Sequence, residues 1–209
     1  MKIVKVTPVD DFFMINWRFD IRCNYDCCYC DAEWHSDSSP VKTLEELKQT
    51  WQNIWASANT QGRKIKLAFY GGEPTANKNF LPLVEWLYAN YGDSLGHVGF
   101  STNGSAPIKI YERLIGHMDW ISFSTHSEFW DEDHFFRTIL AVKALTLGTD
   151  KRINVSIMDE PWNQDRVAHY QELLKQNDID FKPGVIRWEH AVRLDPRINT
   201  KNTLYKFND

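Results

Sequence analysis

The chain has 209 residues, of which 43% are hydrophobic and 25% charged, with a formal net charge of −4. A chain of this size and composition can bury a core of its own, which excludes intrinsic disorder. Its basic residues are scattered, leaving no electrostatic footprint for nucleic acid, and no run approaches the ~18 apolar residues that would span a bilayer. The opening segment interrupts its apolar residues with Pro8, Asp10 and Asp11 and lacks the apolar stretch of a signal peptide, so a soluble, cytoplasmic protein without a membrane partner is expected.

In chain order, strand-like runs fall at Phe13–Arg22, Lys64–Tyr70, His97–Asn103, Trp120–His126, Arg152–Met158 and Ile179–Ile186. Helical spacing fills the gaps. Leu44, Leu47, Trp51, Ile54, Trp55 and Ala58 follow a 3.6-residue repeat, and Thr43 with Glu46 forms a capping-box signature in front of them. Further helices are expected over 79–91, 107–117, 131–147 and 164–176, with Gly92 and Gly148 at two of their ends. Strands alternating with helices predict a parallel sheet. Each strand also alternates internally: Ile15, Trp17, Phe19 and Ile21 against Asn16, Arg18, Asp20 and Arg22, or Ile121 and Phe123 against Ser122, Ser124 and His126. A doubly wound sheet buries both faces and reads as continuous apolar runs. One apolar and one polar face instead predict an α/β fold of the open, partial (β/α)6 TIM-type barrel kind. Helices would lie outside, with a wet lumen and ligands at the carboxyl ends of the strands. No repeat or linker interrupts the pattern, so residues 1–209 are expected to be a single domain, with a barrel core over about 13–186 and a tail over 187–209.

All four cysteines lie within Cys23–Cys30, where they can staple no distant segments; this points to a metal site in a reducing compartment. Cys23, Cys27 and Cys30 have CxxxCxxC spacing directly after the first strand. Soft thiolates suit iron–sulfur clusters and zinc. A structural zinc site wants four ligands, usually as two separated pairs, and no second pair of cysteines or histidines follows. Three thiolates on a cubane leave one iron open to a ligand. A zinc knuckle stays as the alternative at this level, and Cys28 has no place in the spacing.

With Tyr29 in its aromatic position, the segment resembles the CxxxCxΦC signature of the radical S-adenosylmethionine (SAM) superfamily. Gly71-Gly72-Glu73-Pro74 follows the second strand and resembles that family's GGEP motif. Ser101-Thr102-Asn103-Gly104 follows the third and is similar to its TNG segment. The fourth strand ends at Ser124, where the family often contacts the ribose, and Lys182–Ile186 loosely resembles its adenine-binding segment. The resemblance runs from about residue 13 to 186. It implies a 4Fe–4S cluster on Cys23, Cys27 and Cys30, with SAM chelated at the open iron and held by Tyr29, Gly71, Gly72, Glu73, Pro74, Ser101, Asn103 and Ser124.

The resemblance also implies an enzyme in which flavodoxin or ferredoxin supplies one electron. Reductive cleavage of SAM then yields a 5′-deoxyadenosyl radical that abstracts hydrogen from a small-molecule or peptide substrate. His126 and Arg18 are the candidate catalytic or substrate-facing groups. Arg22, Lys66 and Lys182 are further candidates for pairing with a substrate anion, Asp20 for a structural ion pair, and Trp130 for closing the barrel mouth. No cysteine follows Cys30, so a single-cluster protein is expected. The alternatives are a glycyl-radical activating enzyme and a non-catalytic iron–sulfur or zinc protein.

Overall fold

The computed structural model describes residues 12–30, 40–58, 60 and 62–186. The segments 1–11 and 187–209, which include the expected tail, lie outside the described residues.

Among the described residues six strands and five α-helices alternate: β1 (Phe12–Asp20), α1 (Leu44–Ser57), β2 (Lys64–Gly71), α2 (Phe80–Tyr91), β3 (Leu95–Thr102), α3 (Ile108–Leu114), β4 (Trp120–Ser124), α4 (Glu132–Thr146), β5 (Arg152–Met158), α5 (Gln164–Gln176) and β6 (Asp180–Gly184). All neighbouring strands pair in parallel and in sequence order, from β1 to β6. Parallel crossovers share one hand, so a sheet that never reverses its strand order carries every helix on the same side. The other side is left to form a lumen. Among the described residues β1 and β6 do not pair, so the barrel is open.

The strand alternation selects these two sides. Ile15, Trp17 and Phe19 of β1, Ile65, Leu67 and Phe69 of β2, and Ile121 and Phe123 of β4 are buried beneath the helices. There the aromatic side chains interlock: Phe80 of α2 meets Phe19, Phe69 and Phe100 with ring centroids 5.1–5.2 Å apart, and Trp51 of α1 stacks on Trp17 at 5.7 Å. Helix α1 starts where its capping box places it. Glu46 N–H donates to Thr43 Oγ1 (3.2 Å), and Thr43 N–H donates back to Glu46 Oε2 (2.7 Å).

The strands differ from their expected spans at the ends. β1 stops at Asp20, because its register against β2 shifts between Arg18 and Asp20, and Ile21 is only half-buried. β6 contains Pro183, which lacks a ladder donor and is tolerated because β6 lies at the sheet edge. The lumen is also less wet than expected. Ser122 and Ser156 are buried, and Ser122 Oγ donates to Asn154 Oδ1 at 2.8 Å.

Candidate functional site

At the carboxyl ends of β1–β4 lies a cavity of about 170 Å³. Cys23, Cys27 and Cys30 line it together with Tyr25 and Tyr29. So do Gly71, Gly72 and Glu73 after β2, Ser101–Asn103 at the end of β3, and Ser124 and His126 after β4. Four segments spread over a hundred residues thus meet at one place because each follows a strand of the same sheet.

The Gly-Gly pair explains how the cysteine loop is held. Gly72 N–H donates to Asp20 O (3.1 Å), and Glu73 N–H donates to Arg22 O (2.8 Å). Gly71 has φ +140°, and a Cβ there would stand 1.9 Å from Asp20 O; a Cβ on Gly72 would stand 2.0 Å from Arg22 O. The glycines therefore admit the backbone leading into the cysteine loop, as well as presenting bare main chain to the cavity. Asp20, considered above as an arginine partner, accepts hydrogen bonds from Asn77 Nδ2 (2.6 Å) and from Arg22 N–H (3.0 Å).

Glu73 is buried, and four donors converge on its carboxylate: Thr75 N–H (2.9 Å), Thr75 Oγ1 (2.6 Å), Thr102 Oγ1 (2.9 Å) and Asn103 N–H (2.5 Å). Burial pushes its pKa up by more than these donors pull it down. A cationic group in the cavity would reverse that balance. Asn103 also turns its Nδ2 to Asn24 Oδ1 (3.0 Å) and toward Cys23 Sγ (3.9 Å), tying the third strand to the cysteine loop. Pro74 is buried and starts a short 3-10 turn over Pro74–Ala76; it does not line the cavity.

The cysteines are free thiols. Burial pushes Cys23 up to about 12 and raises Cys27 as well. Left alone these groups stay protonated; a cationic metal group would draw off their protons and hold the thiolates. Among the described residues no three His, Cys, Asp or Glu side chains gather around one point as single-ion ligands. Cys23, Cys27 and Cys30 instead stand around the cavity wall, with space beside them for a further ligand. This donor set fits a cluster held by three thiolates with one iron left open. Cys28 is buried away from the cavity among Tyr25, Cys27, Tyr29 and Ile186, and its N–H donates to Glu128 Oε2 (2.9 Å).

The sequence reading missed Glu160, the fully buried residue just past β5. Its carboxylate accepts from Tyr29 Oη (2.7 Å), from Ser127 N–H (3.1 Å to each oxygen) and from Ser127 Oγ. Since Tyr29 donates to Glu160, its oxygen accepts from Nδ1–H of His126 (2.8 Å). His126 also lies 3.8 Å from Cys27 Sγ, and burial pushes its imidazole down to about 4, so it is neutral at physiological pH. The Asp159-Glu160 pair at the carboxyl end of β5 was the available signal.

Arg18, on the lumen side of β1, is exposed outside the cavity lining; a Cβ on Gly71 would come within 3.3 Å of its Cγ, so its stem runs along the cavity rim. Lys66 falls lower, in register with Met14 and His97. Trp130 packs inward on Phe135 (4.8 Å) and Tyr170 (5.5 Å) and also against the cluster of Tyr25, Tyr29 and Ile186 around the cysteine loop. It is Phe129 that stacks on Tyr25 there, at 6.0 Å. Ile186 joins the packing behind the cysteine loop, whereas Val185 is exposed.

Comparison with known proteins agrees with this geometry. A GTP 3′,8-cyclase of Rhizobium etli is 39% identical over 87 residues, which are 40% of this chain and 23% of that protein. An S-adenosylmethionine-dependent nucleotide dehydratase of Selenomonas ruminantium is 31% identical over 93 residues, 44% of this chain and 30% of that one. The matched segments thus span less than a third of these relatives. Among solved structures, BtrN in complex with AdoMet and 2-DOIA superposes with a TM-score of 0.52 at 21% identity, covering 70% of this chain and 56% of BtrN, a likeness of fold. The model of the radical SAM superfamily matches residues 20–140, more than half of the chain. The chain belongs to the radical SAM superfamily, whose members carry a 4Fe–4S cluster and use S-adenosylmethionine.

Proposed function

We propose that this protein is a radical SAM enzyme in which Cys23, Cys27 and Cys30 hold the cluster and SAM occupies the adjoining cavity. The observation that carries this reading is the convergence of three thiols, a bare Gly-Gly segment and the buried Glu73 on one cavity. When reduced, the cluster supplies the electron that splits SAM into methionine and a 5′-deoxyadenosyl radical able to abstract hydrogen from a substrate.

The chain's own residues bind and orient. Glu73 accepts a hydrogen bond from the SAM amino group. Gly71 and Gly72 let the methionine moiety lie against main chain, and Ser101, Asn103 and Ser124 meet polar parts of the nucleoside. Tyr29 covers one side and is fixed by Glu160. Pro74 sets the turn after Glu73. His126 and Arg18 face the substrate, His126 from the cavity wall and Arg18 from its rim. The apolar packing of Tyr25, Phe129 and Ile186 around the loop limits water at a site where a radical must survive.

The enzyme needs an external reductant and a substrate. Flavodoxin or ferredoxin fits the first role and a cytoplasmic setting; among the described residues no helix is long and apolar enough to cross a membrane. A small molecule or a peptide fits the second, and the nucleotide-directed names of the two relatives favour the small molecule. The core over about 13–186 and the tail over 187–209 act in this reading as one domain.

Anaerobic reconstitution with iron and sulfide tests the assignment. About four iron atoms per chain are expected, with an electron paramagnetic resonance signal of the reduced cluster that changes when SAM is added. A cluster whose signal ignores SAM would overturn the reading.

A further inference from the structure

The lumen beneath the SAM cavity carries its own pattern. Strand registers arrange its side chains in rows. One row runs Arg18, Tyr70, Ser101, Ser122, Asn154 and Asp180 from β1 to β6, and the row beneath runs Asn16, Ala68, Gly99, Trp120 and Arg152. In the lower row the Trp120 indole packs directly over Gly99, where a Cβ would meet ring atoms at 2.2–2.5 Å. Because Val98 and Phe100 point to the helices, this ring lies on the lumen side, where it forms an aromatic floor. Above it stand hydroxyl and amide groups, Ser101, Ser122 and Asn154, with Ser124 and Ser156 one step higher beside Lys182.

The two edge strands add cations. Arg18 on β1 extends along Gly71 at the rim of the SAM cavity. Lys182 on β6 is exposed and, among the described residues, has no carboxylate partner within ion-pair distance. Asp180 is the acid on this stretch of β6, one row below Lys182.

We propose that this lumen face of the sheet binds a small, hydroxylated, ring-bearing anion as substrate. Its ring lies on Trp120, its hydroxyls meet Ser122 and Asn154, and its phosphate or carboxylate is held by Arg18 and Lys182. Aromatic faces suit the C–H surface of a ring. The Arg guanidinium offers two parallel donors to an oxyanion, whereas Lys offers a point charge. This inference rests on the proposed function, since it assigns the substrate of that same site.

The test is equilibrium binding to the reconstituted, unreduced full chain with saturating SAM, so that the cofactor cavity is filled. Ribose 5-phosphate, glucuronate and uncharged ribose serve as probes. At least one anion should bind tenfold or more tightly than ribose, and which of the two binds better separates phosphate from carboxylate recognition. Arg18→Gln and Lys182→Gln should each weaken that anion by at least fivefold, while Lys64→Gln, which removes the same charge at the far end of β2, should leave it unchanged. Equal binding of ribose, no binding of any probe, or indifference to Arg18→Gln and Lys182→Gln would overturn the inference. SAM cleavage by the reduced native protein, measured alongside, separates the two levels. Cleavage without anion binding defeats the substrate inference alone, whereas absence of cleavage defeats the proposed function.

Discussion

Glu73 shows how one residue couples burial to ligand charge. With its pKa raised by burial, the carboxyl is neutral below its folded-state value and charged above it. In the absence of ligand, the stability linked to this group is fully present below the usual Glu value of 4.5 and is lost as pH rises through the folded value. SAM binding should run the other way, tightening as pH rises through that value, because the ionised carboxylate is the stronger acceptor for the SAM amino group. Glu73→Gln is expected to weaken SAM roughly 10- to 100-fold and to remove the pH dependence, as read by titration of the reconstituted protein. Glu160 makes a complementary case. Glu160→Ala strips partners from Tyr29 Oη and Ser127 N–H, and should cost about 1–3 kcal/mol in urea unfolding of the metal-free chain. An unchanged midpoint would show that the network is dispensable. Glu73 was legible because its neighbours in sequence spell a motif. Glu160 was not, since its partner Tyr29 lies 131 residues away and only the curvature of the sheet brings them together.

At the level of elements, the decisive contacts are between backbones. The end of β1 and the Gly-Gly turn after β2 approach so closely that Gly72→Ala must drive Arg22 O away from a Cβ placed at 2.0 Å. The cost is expected to be on the order of 2–4 kcal/mol in thermal or urea unfolding. Because the same backbone leads to Cys23, cluster retention should fall with it. A variant of native stability and full iron content would contradict this account of the glycines. Phe80→Ala probes the opposite face of the sheet. Removing a ring packed on Phe19, Phe69 and Phe100 should cost about 3–5 kcal/mol, with little effect on SAM affinity in protein that stays folded. The helices were readable from their periods and the α1 cap from two residues. Strand ends were less so, since the register shift after Arg18 and the edge position of Pro183 are tertiary facts that no local spacing encodes.

For the whole molecule, two sequence patterns carried most of the information: strands with one apolar face, and motifs placed after successive strands. Together they predicted an open barrel with its ligand site at the carboxyl ends, and the six-stranded parallel order agrees. What they could not convey is how tightly small residues pack within the lumen. Ser122 and Ser156 read as polar and wet, yet neighbouring strands bury them. Trp130 read as a lid; its ring packs on Phe135 and Tyr170 and also against the cluster around the cysteine loop. The central claim is that this fold gathers three thiolates and a SAM cavity into one radical-generating site. Its most direct test is mass-spectrometric assay of 5′-deoxyadenosine after dithionite reduction of the reconstituted protein with SAM, beside a chain carrying Cys23→Ala, Cys27→Ala and Cys30→Ala together. The account predicts 5′-deoxyadenosine from the native chain and none from the triple variant. A fully loaded native protein that leaves SAM intact would contradict it.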